Sequence, residues 1–400
     1  MKTSTMNRTF KTKARLTSND YQVLKIVLVL LPFFKPQMFN YISVLNTTFQ
    51  YLQLLDCALI GVFYLKKNRF SKFVLALTAY RIYMLIYTYY AIGSVSLTCL
   101  YRSATILGLA MCVEMMCKKS AINTLRGIYI LLIIPLIVNL VCCIFGWSII
   151  YASVHYYFLG MRTRFTDSSI PALLTALLIS QLEHKTIITK KSITTFCIVL
   201  AQLVLQWVGT GLFLVTVFSI IVFLLQKKSY KLFNCYIVIF SSIALNIAIV
   251  FFKIQTRFSY IIETFLHKST TFTGRTAIWE RVIERIKENI LWGHGEVGNG
   301  GIISVSWQTT RQIPAHNGLL QLLFDGGIIG TFFLAVVFII TINDLYKFKK
   351  SFFSVLITVG IAVTCLGMIT EVLNYYVYFY LVLILGSNIK YIVSQEYRRR

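Results

Sequence analysis

His316 and Asn317 stand in the stretch PAHNGLLQLLFDGG, at the mouth of a long apolar run. A neutral imidazole titrates near the working pH and can take a proton from a sugar hydroxyl. Asn317 is adjacent. Arg275 opens TGRTAIWERVIERIKENI, where free N–H groups and the dipole of a starting helix already favour an anion. Arg162 and Arg164 stand in a second polar segment, RTRFTDSS. Guanidinium forks bind phosphate oxygens bidentately, and strongly where water is excluded. Several arginines on one membrane face therefore suit an anchored diphosphate. Arg281 and Arg311 are further candidate substrate contacts, although for Arg281 an ion-paired surface role is the plainer reading.

Other chemistries lack their residues. The five histidines show no metal-ligand spacing, so no metal site is expected. There is no DxD pair to hold a metal-bound nucleotide sugar and no phosphate-binding P-loop pattern. All nine cysteines lie in or at the ends of apolar runs, and no CxxC occurs, which excludes a disulfide framework and a thiolate zinc site. No cofactor is expected.

These residues need elements to position them, and the composition says which. Of 400 residues, 57% are hydrophobic and only 13% charged, about half the charge of a water-soluble chain. Runs such as GIYILLIIPLIVNLVCCIFGW approach the ~20 residues that cross a bilayer. Hydropathy and loop charge give about twelve spans, the first over 23–40, where Lys35 and Pro36 interrupt it, and the last three over 317–342, 352–370 and 372–389. WVGTGLF reads as a tight turn between two short helices. The expected fold is all-α: a polytopic membrane protein with a helical extracytoplasmic loop subdomain. Residues 1–252 form the first part of the membrane domain, 253–316 the large loop and 317–400 the last part.

The net charge of +25 is distributed as short basic clusters in alternate loops, for example Lys66, Lys67, Arg69 and Lys72, then Lys118, Lys119 and Arg126. That is the positive-inside pattern, so both termini are expected in the cytoplasm, with anionic membrane lipid rather than nucleic acid as the partner. The basic N-terminal stretch lacks the pattern of a removed signal peptide. Two outer segments, 148–169 and 253–316, are long where other loops are minimal, which marks them as the working parts. Within the second, Ile278, Val282, Ile283, Ile286 and Ile290 recur at helical spacing, with charges on the other faces. Arg281–Glu284 and Arg285–Glu288 can support this amphipathic helix, and Thr273 or Thr276 can cap it. Arg81 and Arg102 fall in or near spans, where a charge must be paired or used; Asp56 and Glu114 are the expected partners.

The stretch HNGLLQLLFDGGIIGTF resembles the signature of the O-antigen ligase/polymerase family of membrane glycosyltransferases. It matches through His316, Asn317, Gly327, Gly330, Thr331 and Phe332. Upstream, Gly274, Arg275, Trp279, Asn289, Gly293 and Gly295 match a second element of that family. The family often has proline where this chain has Ile290, and Ser-Arg-Gly where VGTG stands. The resemblance implies an inverting, metal-independent transfer in the bacterial inner membrane, on its outer face. The donor would be an oligosaccharide on polyprenyl diphosphate. Arg275 and a first-loop arginine, Arg164 in preference to Arg162, would hold the diphosphate, His316 would be the general base, and Asn317 would orient the imidazole or a sugar. A polymerase of O-antigen or capsule type joins lipid-linked repeat units, with a chain-length regulator protein as a further partner. A ligase moves finished glycan to a final acceptor. A flippase for lipid-linked oligosaccharide would instead carry charge along a central cavity and needs no long outer segment.

Overall fold

The computed structural model describes residues 17–67, 70–151, 153–225, 233–254, 275–297, 300–304 and 312–397. Helices dominate. In chain order they are α1 (Ser18–Leu30), α2 (Ser43–Lys67), α3 (Lys72–Ile92), α4 (Leu97–Phe145), α5 (Phe165–His184), α6 (Lys190–Leu205), α7 (Gly209–Leu225) and α8 (Cys235–Phe252). Within the segment 253–316 lies α9 (Arg275–Glu288), followed by α10 (Gly318–Lys347), α11 (Phe352–Gly367), α12 (Val377–Ser387) and α13 (Ile389–Tyr397). Two small antiparallel sheets, β1 (Ile149–Tyr151) with β2 (Val154–Tyr156) and β3 (Ile303–Ser304) with β4 (Gln312–Ile313), are additions to the all-helical expectation. Both belong to the two long outer segments.

Among the described residues, five helices are long and apolar enough to cross a membrane, or six if the bent pair α12–α13 counts as one span. α7 and α11 are apolar but shorter. α4 has 49 residues, roughly 74 Å of helix at 1.5 Å per residue, far more than one bilayer. Ser120 leaves helical geometry (φ −155°, ψ 101°), which divides α4 into two apolar halves. The interruption expected at Lys35 is present: α1 ends at Leu30 and continues as short 3-10 turns at Leu31–Phe34 and Gln37–Tyr41. The tight turn expected in WVGTGLF lies between α6 and α7, with Trp207 in left-handed geometry.

One apolar core joins the spanning helices, and a smaller one lies under the outer segment. In the second, Trp279, Val282 and Ile286 of α9 pack with Val250, Ile303, Ala315, Leu320, Phe324 and Ile369. The i, i+3, i+7 spacing of the first three residues puts them on one helix face, as the amphipathic pattern requires. Ile290 departs from that pattern: it lies beyond the helix end and is 50% exposed. Thr276 lies inside α9 and is not its cap, while Thr273 and Gly274 lie outside the described residues.

α10 is broken at Gly327 (φ +61°, ψ −161°). A break inside an apolar helix frees backbone groups that lipid cannot satisfy. The segment after α9 supplies their partners. His294 and Gly295 N–H donate to Phe324 O and Asp325 O at 2.7 and 2.9 Å, and Ile328 and Ile329 N–H donate to Ile290 O and Leu291 O at 3.0 and 3.2 Å. Tyr83 Oη donates to Gly326 O at 3.0 Å. The backbones approach so closely that a Cβ on Gly327 would lie 2.4 Å from Leu291 O, and one on Gly293 2.5 Å from Gly327 N. Only glycine fits either place.

Candidate active site

His316 lies between β4 and α10 in left-handed geometry, φ +50°. Its neighbours hold it there. Asn317 caps α10: its Oδ1 accepts from the N–H groups of Leu319 and Leu320, both at 2.9 Å. Its Nδ2 donates to Asn246 Oδ1 and Ile369 O, both at 3.0 Å. Gly318 N–H donates to Met368 O at 2.8 Å, and Ala315 N–H to Gln321 Oε1 at 3.0 Å. The His316 backbone is thus fixed on both sides by buried bonds. Asn317 is fully buried and its amide has used both protons and both lone pairs. Asn317 builds the corner on which His316 sits.

The turn Met368–Tyr376 between α11 and α12 brings the other groups to this corner. Glu371 in that turn accepts from Arg275 Nη2 at 3.0 Å through one carboxylate oxygen. The other oxygen stands 3.8 Å from Arg164 Nη1. Arg164 also faces Asp167 Oδ2 at 3.7 Å, donates to Val372 O at 3.5 Å and lies 4.4 Å over the Tyr376 ring. Arg275 is the first described residue of α9, and Arg164 ends the 3-10 turn Arg162–Arg164 before α5. Both guanidinium groups act electrostatically on His316. Burial first, then the charges of Arg275 and Arg164, bring the imidazole pKa down to about 4. The ring is therefore neutral at neutral pH, and it makes no hydrogen bond to a described residue.

The other candidates separate from this cluster. Arg162 and Arg281 are exposed, and Arg281 sits on the solvent side of α9 while Arg285 pairs with Glu288 at 2.6 Å. Arg311 lies outside the described residues. Among the described residues, no three His, Cys, Asp or Glu side chains converge as metal ligands.

A second polar cluster lies beside α10. Arg81 and Arg102 both pair with Glu296, not with Asp56 or Glu114. Arg81 Nη2 is 2.9 Å from one Glu296 oxygen and Arg102 Nη1 meets the other. Glu114 instead pairs with Lys118 at 2.7 Å and accepts from Tyr64 and Ser71. Burial alone would raise the Glu296 carboxyl pKa, but the two arginines outweigh it and hold the group below the usual range. Arg102 also stacks 3.8 Å over the Tyr375 ring. Tyr375 Oη donates to Asp325 Oδ2 at 2.5 Å, and Gln321 Nε2 donates to Asp325 Oδ1 and to Tyr375 Oη, both at 3.0 Å. Gln321 is the same residue that holds Ala315, next to His316.

Glu371, Glu296, Asp325 and Gln321 were not among the expected site residues. Two carried a signal in the sequence: Asp325 is an acid inside an apolar helix, and Glu371 is the single residue between two predicted spans. With this geometry described, the comparison with known families is specific: residues 193–335 match the O-antigen ligase family. No curated protein matches the chain.

Proposed function

We infer, starting from the O-antigen ligase domain at residues 193–335, that this chain is a membrane glycosyltransferase acting on polyprenyl-diphosphate-linked glycan, and within that class a polymerase of surface polysaccharide. The observation that carries the reading is that Arg164 and Arg275 share the carboxylate of Glu371 while the charges of both act on the His316 imidazole. Two guanidinium groups held 3.0 and 3.8 Å from a carboxylate form a cradle for a planar or tetrahedral oxyanion. Glu371 is the anion that keeps the cradle in place when no donor is bound. The donor diphosphate displaces it, and the arginines stabilise the negative charge that grows as the sugar leaves.

His316 supplies the base. It takes the proton of the acceptor hydroxyl as that oxygen attacks the anomeric carbon from the face opposite the diphosphate. The new carbon–oxygen bond forms, the bond to the diphosphate breaks, and its electron pair departs on the phosphate oxygen, with inversion at the anomeric centre. Arrival of the diphosphate also offsets the two positive charges that depress the imidazole pKa, so the base strengthens when the donor is in place. A good leaving group between two arginines needs no metal and no strong general acid. In this reading the shorter and bent apolar helices complete a topology of about twelve spans. Both termini are cytoplasmic and the site opens on the outer face of the inner membrane.

The test is the polysaccharide profile of cells lacking the gene, complemented with wild type or His316→Ala at matched protein level. Single repeat units in null and mutant, with long chains restored by wild type, support a polymerase that needs His316. Long chains that accumulate on the lipid carrier support the ligase activity after which the matched family is described. A His316→Ala profile equal to wild type defeats the mechanism.

A further inference from the structure

At the opposite end of the helices from His316, a cavity of about 340 Å³ is lined by Lys118, Lys119, Lys390, Tyr391, Ser394 and Gln395, with Cys117 behind them. Its volume lies in the range of small-ligand sites, about 300–1,000 Å³. Three ammonium groups share it, and among the described residues no acid lines it. Lys118 is matched by Glu114 at 2.7 Å; Lys119 and Lys390 are exposed, and they add positive charge beyond that pair. Tyr391, Ser394 and Gln395 place neutral hydrogen-bonding groups on the same wall.

The location is as telling as the charge. The cavity sits at the Ser120 break, where one apolar half of α4 ends and the next begins, so it lies at the level of lipid headgroups. The positive-inside pattern assigns this level to the cytoplasmic leaflet. The break is already fastened to α13: Ala121 N–H donates to Gln395 Oε1 at 3.1 Å. Lys119 comes from the break and Lys390 from α13, so an anion between them would close the same junction from its other side.

We propose that this cavity binds the phosphate group of an anionic phospholipid of the cytoplasmic leaflet. The lipid bridges Lys119 and Lys390 and locks α13 against the α4 break. Basic pockets between membrane helices on this side are suited to such headgroups, and each lysine near the surface contributes about fivefold in affinity.

The test uses the full-length protein in mixed micelles, titrated with phosphatidylglycerol, phosphatidylcholine or inorganic phosphate, with thermal stability as the readout. Phosphatidylglycerol raises the melting temperature saturably, and phosphatidylcholine does not. Lys119→Gln with Lys390→Gln weakens the apparent affinity about 25-fold, while Lys347→Gln with Lys349→Gln, lysines of another loop, leaves it unchanged. Lys119→Arg with Lys390→Arg keeps the charge and the effect, which guards against a folding defect in the glutamine variant. Equal losses in both glutamine pairs, or no loss in either, overturn the site. A full effect from inorganic phosphate alone overturns the lipid as its source.

Discussion

Replacing His316 with asparagine isolates the electrostatics of the site from its backbone strain. Asparagine tolerates the left-handed conformation that this position adopts at φ +50°, but it does not titrate. The His316 pKa is about 4 in the folded protein, below its ordinary 6.5. Between those values the unfolded chain binds a proton that the folded chain does not. Stability is therefore whole above about pH 6.5 and declines as pH falls, until the folded pKa near 4 is passed. Each pH unit in that window corresponds to about 1.4 kcal/mol, so acidification from pH 7 to 5 costs about 2 kcal/mol. Partial solvent exposure of the ring reduces this to about 1 kcal/mol. The assay is unfolding of the purified protein in detergent at both pH values, wild type against His316→Asn. The difference between the two proteins cancels every other titrating group. Wild type should lose about 1 kcal/mol more than the variant on acidification; equal losses, or a larger loss in the variant, would refute the burial and charge placement argued for His316.

Arg164→Gln and Arg275→Gln should each lower polymer formation by about 10²- to 10³-fold, the usual loss when one donor to a developing oxyanion is removed. Arg162→Ala and Arg281→Ala, exposed and apart from the cluster, should stay within about threefold of wild type in the same reconstituted assay. Glu296→Ala leaves Arg81 and Arg102 buried without their carboxylate and should cost about 3–5 kcal/mol, measured as loss of monodisperse protein on heating. Gly327→Ala should fail to yield folded protein, because its Cβ would meet Leu291 O at 2.4 Å; Gly61→Ala, which meets nothing within 4 Å, should behave as wild type by size-exclusion profile.

Where one residue type decides the outcome, the sequence was enough. Long apolar runs divided by basic loops located the helices, because a continuous apolar run that enters lipid satisfies its backbone within itself only as a helix, whereas barrel strands alternate polar and apolar residues. His316, Arg275 and Arg164 stood out as candidates through their types together with the resemblance of the stretches that carry His316 and Arg275, and the structure brings the two arginines to Glu371. What could not be read was pairing across distance. Arg81 and Arg102 find their counter-ion 215 and 194 residues away in Glu296, and a lone glutamate in a glycine-rich loop has no pattern to declare it. Glu371 fell between two spans for the same reason: a single acid gives no periodicity. The structural part played by Asn317 was not legible, because an amide beside a candidate base is equally apt for a sugar and for capping a helix, and its four bonds appear only in the structure. The break in α10 was hidden because apolar residues resume directly after Gly327 and the run reads as one long span.

That break has a bearing on how the protein is made. The carbonyls of Phe324 and Asp325 and the N–H groups of Ile328 and Ile329 depend on residues 290–295, which leave the ribosome before α10 does. Residues 290–295 must therefore be in place when α10 folds, because they supply the partners of its broken backbone. A chain in which α9 is delayed or misdirected would present the bilayer with a helix it cannot accept. Completion of α10 thus depends on the segment that follows α9, and defects there should appear first as failed folding of α10 and only afterwards as lost activity.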